Sequence, residues 1–305
     1  MRAAFASTLS EIAERDERIL LLTGDLGYKA LEPFSDRFPR RFFNVGVAEQ
    51  NMVGLATGLA ESGFLPFVYS IATFATLRAY EFIRNGPVAH RLPVRIVGVG
   101  GGFDYGSAGP THHALEDVGA LRLQPGLTVL APADPEQTRT MLRDTWDRPG
   151  PFYYRLGKDD RALVPDLGGR FELGRAEVLR RGKDLLLLVT GSLTGETLAA
   201  SDALRDSGIA ATLAVVSTLN PAPVEDLLRH LEGFPAAVTI EGHYAAGGLG
   251  SIVAEVIAEG GLPCRLIRLG VREGPDGMSG SLPYLLQRHG LSRDAIVAAA
   301  RKAVG

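Results

Sequence analysis

The sequence has a single cysteine, Cys264, and a single tryptophan, Trp146. One thiol cannot close an internal disulfide, and it cannot build a zinc site out of several thiolates. Long apolar runs are missing as well. Stretches such as Leu185–Val189 fall far short of the roughly 20 residues that cross a bilayer. Met1–Arg15 mixes its apolar positions with Glu11, Glu14 and Arg15, so it reads as an amphipathic helix rather than a signal peptide. Charge of either sign is nearly balanced, with 32 Lys and Arg against 35 Asp and Glu and a net charge of −3. That balance speaks against nucleic acid or an anionic membrane surface as partner. There is no phosphate loop ending in Gly-Lys-Ser/Thr and no Gly-x-Ser-x-Gly nucleophile elbow. The glycine clusters Gly98–Gly102 and Gly247–Gly250 lack the acidic residue about 20 positions on that a dinucleotide fingerprint requires. The expectation from these absences is a cytoplasmic protein with neither a nucleic-acid nor a membrane partner.

What is present is an ordinary globular composition. Of 305 residues, 46% are hydrophobic and 37 are glycine, and that length suggests two domains, each able to bury a core. Short apolar runs alternate with helical stretches. Ile19–Leu22, Phe42–Val45, Phe67–Ser70, Val94–Val99, Thr128–Ala131 and Phe152–Arg155 read as strands. Ala48–Glu61 and the region around Ala75–Arg84 read as helices, and Asp134 is placed to cap another. Gly157–Lys183 breaks the pattern and reads as a linker, with Phe171–Leu173 and Ala176–Leu179 suggesting a hairpin edge. From Asp184 the alternation resumes, and Leu282–Val304 reads as helical. The expected fold is α/β in two domains, residues 1–165 and 166–305, each a mostly parallel sheet flanked by helices.

Ligands of such sheets bind beyond the carboxyl ends of the strands. Those ends carry Thr23-Gly24-Asp25, Gly46–Glu49, Ser70–Phe74, Gly98–His113 and Glu241–His243. By position alone Glu49 reads first as a first-turn residue complementing a helix dipole, with a carboxylate that holds a proton for catalysis as the alternative. His112 and His113 are adjacent and point in different directions, with no third ligand at metal spacing, so hydrogen bonding or acid–base work suits them better than a metal. Phe74 and Tyr80 are either core aromatics or a platform for a heteroaromatic ring.

Together these segments resemble the C-terminal portion of transketolase, over essentially the whole chain. Gly46-Val47-Ala48-Glu49-Gln50-Asn51-Met52 carries the resemblance, with Thr73-Phe74, Arg78 and Tyr80, then Gly109-Pro110-Thr111-His112-His113 with Glu116-Asp117, and Pro132-Ala133-Asp134. Glu241-Gly242-His243 with Gly247-Gly248-Leu249-Gly250 adds to it in the second half. The resemblance implies a pyrimidine-binding domain followed by a transketolase C-terminal domain, and thiamine diphosphate as cofactor. It implies that Glu49 hydrogen-bonds the aminopyrimidine ring nitrogen and so favours the tautomer that deprotonates the thiazolium carbon. Phe74 would stack on the pyrimidine, with Leu77 and Tyr80 completing the apolar pocket and Asp25 near the cofactor across an interface between subunits. His112 would contact the oxygen on the reacting carbon. Arg155 would bind a substrate phosphate, and His113 and His243 would join the substrate site.

The family's diphosphate-binding domain, with its Gly-Asp-Gly motif and Mg²⁺, has no counterpart in this sequence; Gly24-Asp25-Leu26-Gly27 stands in another context. The resemblance therefore implies the second subunit of a split transketolase, expected to pair with an N-terminal, diphosphate-binding subunit in an α₂β₂ heterotetramer whose partner supplies the Mg²⁺ ligands. The β subunit of 2-oxo acid dehydrogenases shares the plan, so 2-oxo acid decarboxylation with acyl transfer is the competing activity, and a non-catalytic scaffold is the competing class. Ser7, Gly100 and Ala108 stand where transketolases carry a phosphate-binding arginine, a substrate-facing histidine and a hydroxyl-reading aspartate. Losing such groups shifts substrate preference, so the expected sugar or sugar-phosphate substrate differs from the usual pentose and heptulose phosphates.

Overall fold

The computed structural model describes residues 1–274 and 277–305. Two sheets organise the chain. Strands β1 (Ile19–Thr23), β2 (Phe42–Asn44), β3 (Leu65–Ile71), β4 (Arg95–Val99), β5 (Thr128–Leu130) and β6 (Phe152–Leu156) come from the first half. They lie in the order β5-β6-β4-β3-β1-β2, all parallel. Every residue of β1, β4 and β6 is buried, which is why these strands read as unbroken apolar runs rather than as an alternation. In the second half β7 (Ala176–Arg180), β8 (Leu185–Val189), β9 (Ala211–Val216), β11 (Ala236–Tyr244) and β12 (Arg265–Val271) form a sheet ordered β12-β11-β8-β9-β7. Only the edge strand β7 runs antiparallel to its neighbour. The remaining strand, β10 (Thr218–Asn220), crosses over and pairs antiparallel with β5. Nothing in the local sequence pattern of Thr218–Asn220 announces that exchange.

The helices are α1 (Arg2–Ala13), α2 (Glu32–Ser35), α3 (Glu49–Glu61), α4 (Tyr80–Ile83), α5 (Asp117–Arg122) and α6 (Pro135–Thr145), then α7 (Thr194–Asp206), α8 (Val224–Leu231), α9 (Leu249–Glu259), α10 (Leu282–Arg288) and α11 (Arg293–Val304). Asp134 caps α6 as its sequence suggests. Its Oδ1 accepts from the Gln137 N–H at 2.7 Å, and Pro135 takes the first helical position, where a missing N–H costs nothing. Among the described residues no helix is long and apolar enough to cross a membrane.

Three local expectations change. The stretch around Ala75–Arg84 is not one regular helix. Two π-helical turns, Phe74–Arg78 and Arg84–Val88, flank the four residues of α4. Such wide turns are rare and cluster at functional sites. Phe171–Leu173 is not a strand; Phe171 and Leu173 pack against the first sheet's core instead, and only Ala176–Arg180 pairs. The C-terminal helical region divides at Gly290, whose φ of 68° is a conformation glycine adopts at little cost.

The two halves share one continuous core. Val118, Leu121 and Val129 of the first half pack in the same cluster as Leu219, Leu227, Ala237 and Leu249 of the second. Backbone contacts seal the seam: Tyr244 N–H donates to the Leu115 carbonyl at 3.0 Å.

Candidate active site

Glu49 opens α3, immediately after the turn that follows β2, and Gly46 makes that turn with a φ of 74°. The carboxylate is 1% exposed. A buried carboxylate must have its oxygens satisfied, and here both are. Ser70 at the end of β3 donates its hydroxyl to Oε1 at 2.9 Å, and Arg78 donates Nη1 to Oε2 at 2.6 Å. The two partners differ in kind. Ser70 is fully buried, whereas the Arg78 side chain is 37% exposed, so one oxygen is held from inside the fold and the other by a group that can leave. The π-turn that carries Arg78 also carries Phe74, and the guanidinium lies over the Phe74 ring at 4.5 Å. Sequence reasoning placed Arg78 in a motif without a task and passed over Ser70; their contact with Glu49 spans 29 and 21 residues, and only the wide turn and the parallel pairing of β1 with β3 bring them together.

His112 meets this group from the loop after β4. Its ring stands edge-on to Phe74 at 5.1 Å. Thr111 Oγ1 lies 2.9 Å from Nδ1, which leaves Nε2 for a ligand. Glu49, Arg78, Phe74 and His112 therefore form one assembly, with the 41%-exposed Leu77 on the same π-turn. Tyr80 packs against the core with its hydroxyl paired to Gln124 Nε2. Asp25 sits at the end of β1 with a φ of 57° and exchanges hydrogen bonds with Asn44, each of 3.0 Å. These residues suit an aminopyrimidine ring: a buried carboxylate with a displaceable partner on one oxygen, next to an aromatic face and an exposed leucine. Among the described residues no cluster of His, Cys, Asp and Glu could hold a metal ion.

Three expected substrate residues lie elsewhere. Arg155 is buried, with Nε and Nη2 on the Asp117 carboxylate at 2.7 and 3.1 Å, and Nη2 also on the carbonyls of Ala114 and Gly242 at 2.8 and 2.9 Å. Tyr153 adds its hydroxyl to Asp117 Oδ2 at 2.6 Å. Burial opposes the Asp117 charge, but Arg155 outweighs it and holds the carboxyl below its usual range. Arg155 thus ties the His112 loop to the second half. His243 is 2% exposed, and its Nε2 accepts from the Gly119 N–H at 3.1 Å across the same seam. His113 turns inward, edge-on to Phe103 at 5.0 Å. Glu241 caps α9 by accepting from the N–H groups of Leu249 and Gly250 at 2.7 and 2.8 Å, and burial pushes its pKa up.

The three divergent positions also find their places. Ser7 faces α6, where its hydroxyl accepts from Arg139 Nη1 at 2.7 Å. Five residues earlier, Arg2 lines a cavity of about 390 Å³ with Asp104, Lys158, Asp159, Asp160, Arg161 and Leu282. Gly100, with a φ of 81°, is covered by the Tyr105 ring, which stands where a side chain at position 100 would project. Ala108 ends a short 3₁₀ turn in the same loop.

Residues 1–161 match the pyrimidine-binding domain of transketolase, and residues 174–296 match the transketolase C-terminal domain. One subunit of the apulose-4-phosphate transketolase of Phocaeicola vulgatus is 35% identical, covering 97% of this chain and 94% of that protein. The SqwH subunit of the 6-deoxy-6-sulfo-D-fructose transketolase of Clostridium sp. is 36% identical over 99% and 94%. A solved structure of a split gene transketolase, an inactive beta4 tetramer, superposes with a TM-score of 0.87 at 36% identity, covering 99% of this chain and 97% of that one. The chain belongs to the transketolase family of thiamine-diphosphate-dependent transferases and corresponds to that family's pyrimidine-binding and C-terminal domains.

Proposed function

We propose that the chain is the β-type subunit of a two-component transketolase that moves a two-carbon ketol unit from a ketose or ketose phosphate to an aldehyde acceptor. The observation that carries this reading is the buried Glu49 carboxylate, held by Ser70 on one oxygen and by the half-exposed Arg78 on the other. Thiamine diphosphate, when bound, supplies the electron sink for making and breaking the carbon–carbon bond. Glu49 would hold a proton at the ring nitrogen through the oxygen that Arg78 now occupies, with Ser70 keeping the carboxylate oriented. Phe74 and Leu77 would exclude water from the ring, and Asp25 would stand at its edge. His112 would donate from Nε2 to the oxygen on the substrate's reacting carbon. Tyr80 would support the pocket from behind, through Gln124.

The diphosphate and its Mg²⁺ need ligands that this chain does not offer at Glu49, so a diphosphate-binding N-terminal subunit would provide them, in an α₂β₂ assembly in the cytoplasm. Relatives named as subunits of transketolases support a partner, as does a split-gene relative whose tetramer of β chains is inactive. The test is reconstitution with that subunit, thiamine diphosphate and Mg²⁺, assayed with ketose phosphates and, in parallel, with pyruvate. Ketose turnover that appears only in the complex and falls by orders of magnitude in Glu49→Gln is the expected result. A near-normal Glu49→Gln rate refutes the role of Glu49, and turnover of pyruvate alone replaces ketol transfer with 2-oxo acid chemistry.

A further inference from the structure

The cavity beside the His112 loop contains cations and carboxylates in equal number, but they are not equally engaged. Asp104 is half-buried and accepts the Lys158 N–H at 2.7 Å. Asp159 Oδ1 accepts the Arg161 N–H at 2.8 Å. Asp160 Oδ1 takes the amino terminus at 2.7 Å and the Ala3 N–H at 2.8 Å. The acids are thus committed to the protein's own N–H groups. Of the cations, Arg2 comes only within 3.9 Å of Asp160. Lys158 has no ion-pair partner among the described residues; its Nζ stands over the face of the Tyr105 ring, 4.5 Å from the centroid. Asp104 fixes the backbone of Lys158, and the Tyr105 face seats its ammonium.

Tyr105 links this cation to the chemistry. Its ring covers Gly100 and lies 6.4 Å from the His112 ring. Tyr105 thus stands between His112 on one side and the Lys158 ammonium on the other. We propose that Lys158, seated on Tyr105, is a specificity-determining residue. It reads a terminal anion on the substrate, a phosphate or a sulfonate, and Tyr105 supplies the wall that a side chain at position 100 would otherwise supply. A half-buried ammonium with no carboxylate in direct contact keeps attraction for a ligand anion, although Asp104 lies near enough to feel its charge, and the aromatic face holds it in place without neutralising it. This assignment rests on the transketolase reading for its substrate, but not for its anion.

Two measurements test it. Inorganic phosphate and methanesulfonate are titrated calorimetrically into the full chain, which contains the whole cavity. At least one should bind, with Lys158→Met weakening it tenfold or more and Lys158→Arg by much less. Equal affinities in wild type and Lys158→Met, or no binding of either anion, overturn the assignment. In the reconstituted complex, Lys158→Met should raise KM for a phosphorylated ketose at least tenfold, leave kcat within twofold and leave the unphosphorylated ketose unaffected. An equal effect on both ketoses overturns the proposal. If no ketose turns over while anion binding and its loss in Lys158→Met persist, the transketolase reading fails and the anion site stands.

Discussion

Arg155→Met is the sharpest test of how the seam between the two halves is held. The substitution keeps much of the side-chain volume and removes the charge. In the wild type, Asp117 is buried and receives two nitrogens of Arg155 and the Tyr153 hydroxyl. Without Arg155, the carboxylate stays in a dry site with one donor. Removing one member of a buried pair costs about 3–5 kcal/mol, because the remaining charge is uncompensated. The Gly242 carbonyl loses the Arg155 donor as well, and the Ala114 carbonyl is left with the Gly102 N–H. Urea unfolding should show a drop in midpoint of at least roughly 1 M. The deficit should shrink on acidification, because the orphaned Asp117 can then take a proton, and Arg155→Met combined with Asp117→Asn should recover part of the loss. A surface arginine that met only substrate would leave stability within about 0.5 kcal/mol. An unchanged midpoint in Arg155→Met, paired with a raised KM, refutes the structural role and restores Arg155 to the substrate.

Two further outcomes follow from the same seam. Gly98→Ala places a methyl group 2.6 Å from the Tyr153 hydroxyl and 2.9 Å from the Ala72 backbone; it should cost about 1–3 kcal/mol by overpacking, read as a lowered unfolding midpoint, and a neutral effect would mean that Tyr153 is free to move. Burial holds Glu241 above its ordinary value of 4.5, so the folded chain binds that proton more tightly than the unfolded one. Its favourable contribution is fully present below 4.5 and is lost as pH rises through the raised value. The unfolding free energy of wild type minus that of Glu241→Gln should therefore fall over that window and then level off, and a flat difference would show that the carboxyl is not perturbed.

The sequence by itself determined the two-sheet plan, because strands buried on both faces must be apolar and the connections between parallel strands must be long enough to be helical. It also pointed to Glu49, Phe74 and His112, through motifs that resemble transketolase rather than through residue type and position alone. Tertiary structure alone decided the partners. Arg155 and His243 look like substrate groups in sequence, yet they meet Asp117 and Gly119 at separations of 38 and 124 residues, and no local pattern encodes a contact of that range. The same holds for β10, which leaves its own half to pair with β5, and for Tyr105, which fills the space above Gly100 through a glycine turn. Whether a charged side chain faces a ligand or another part of the protein depends on what burial brings against it, and burial is a property of the whole fold.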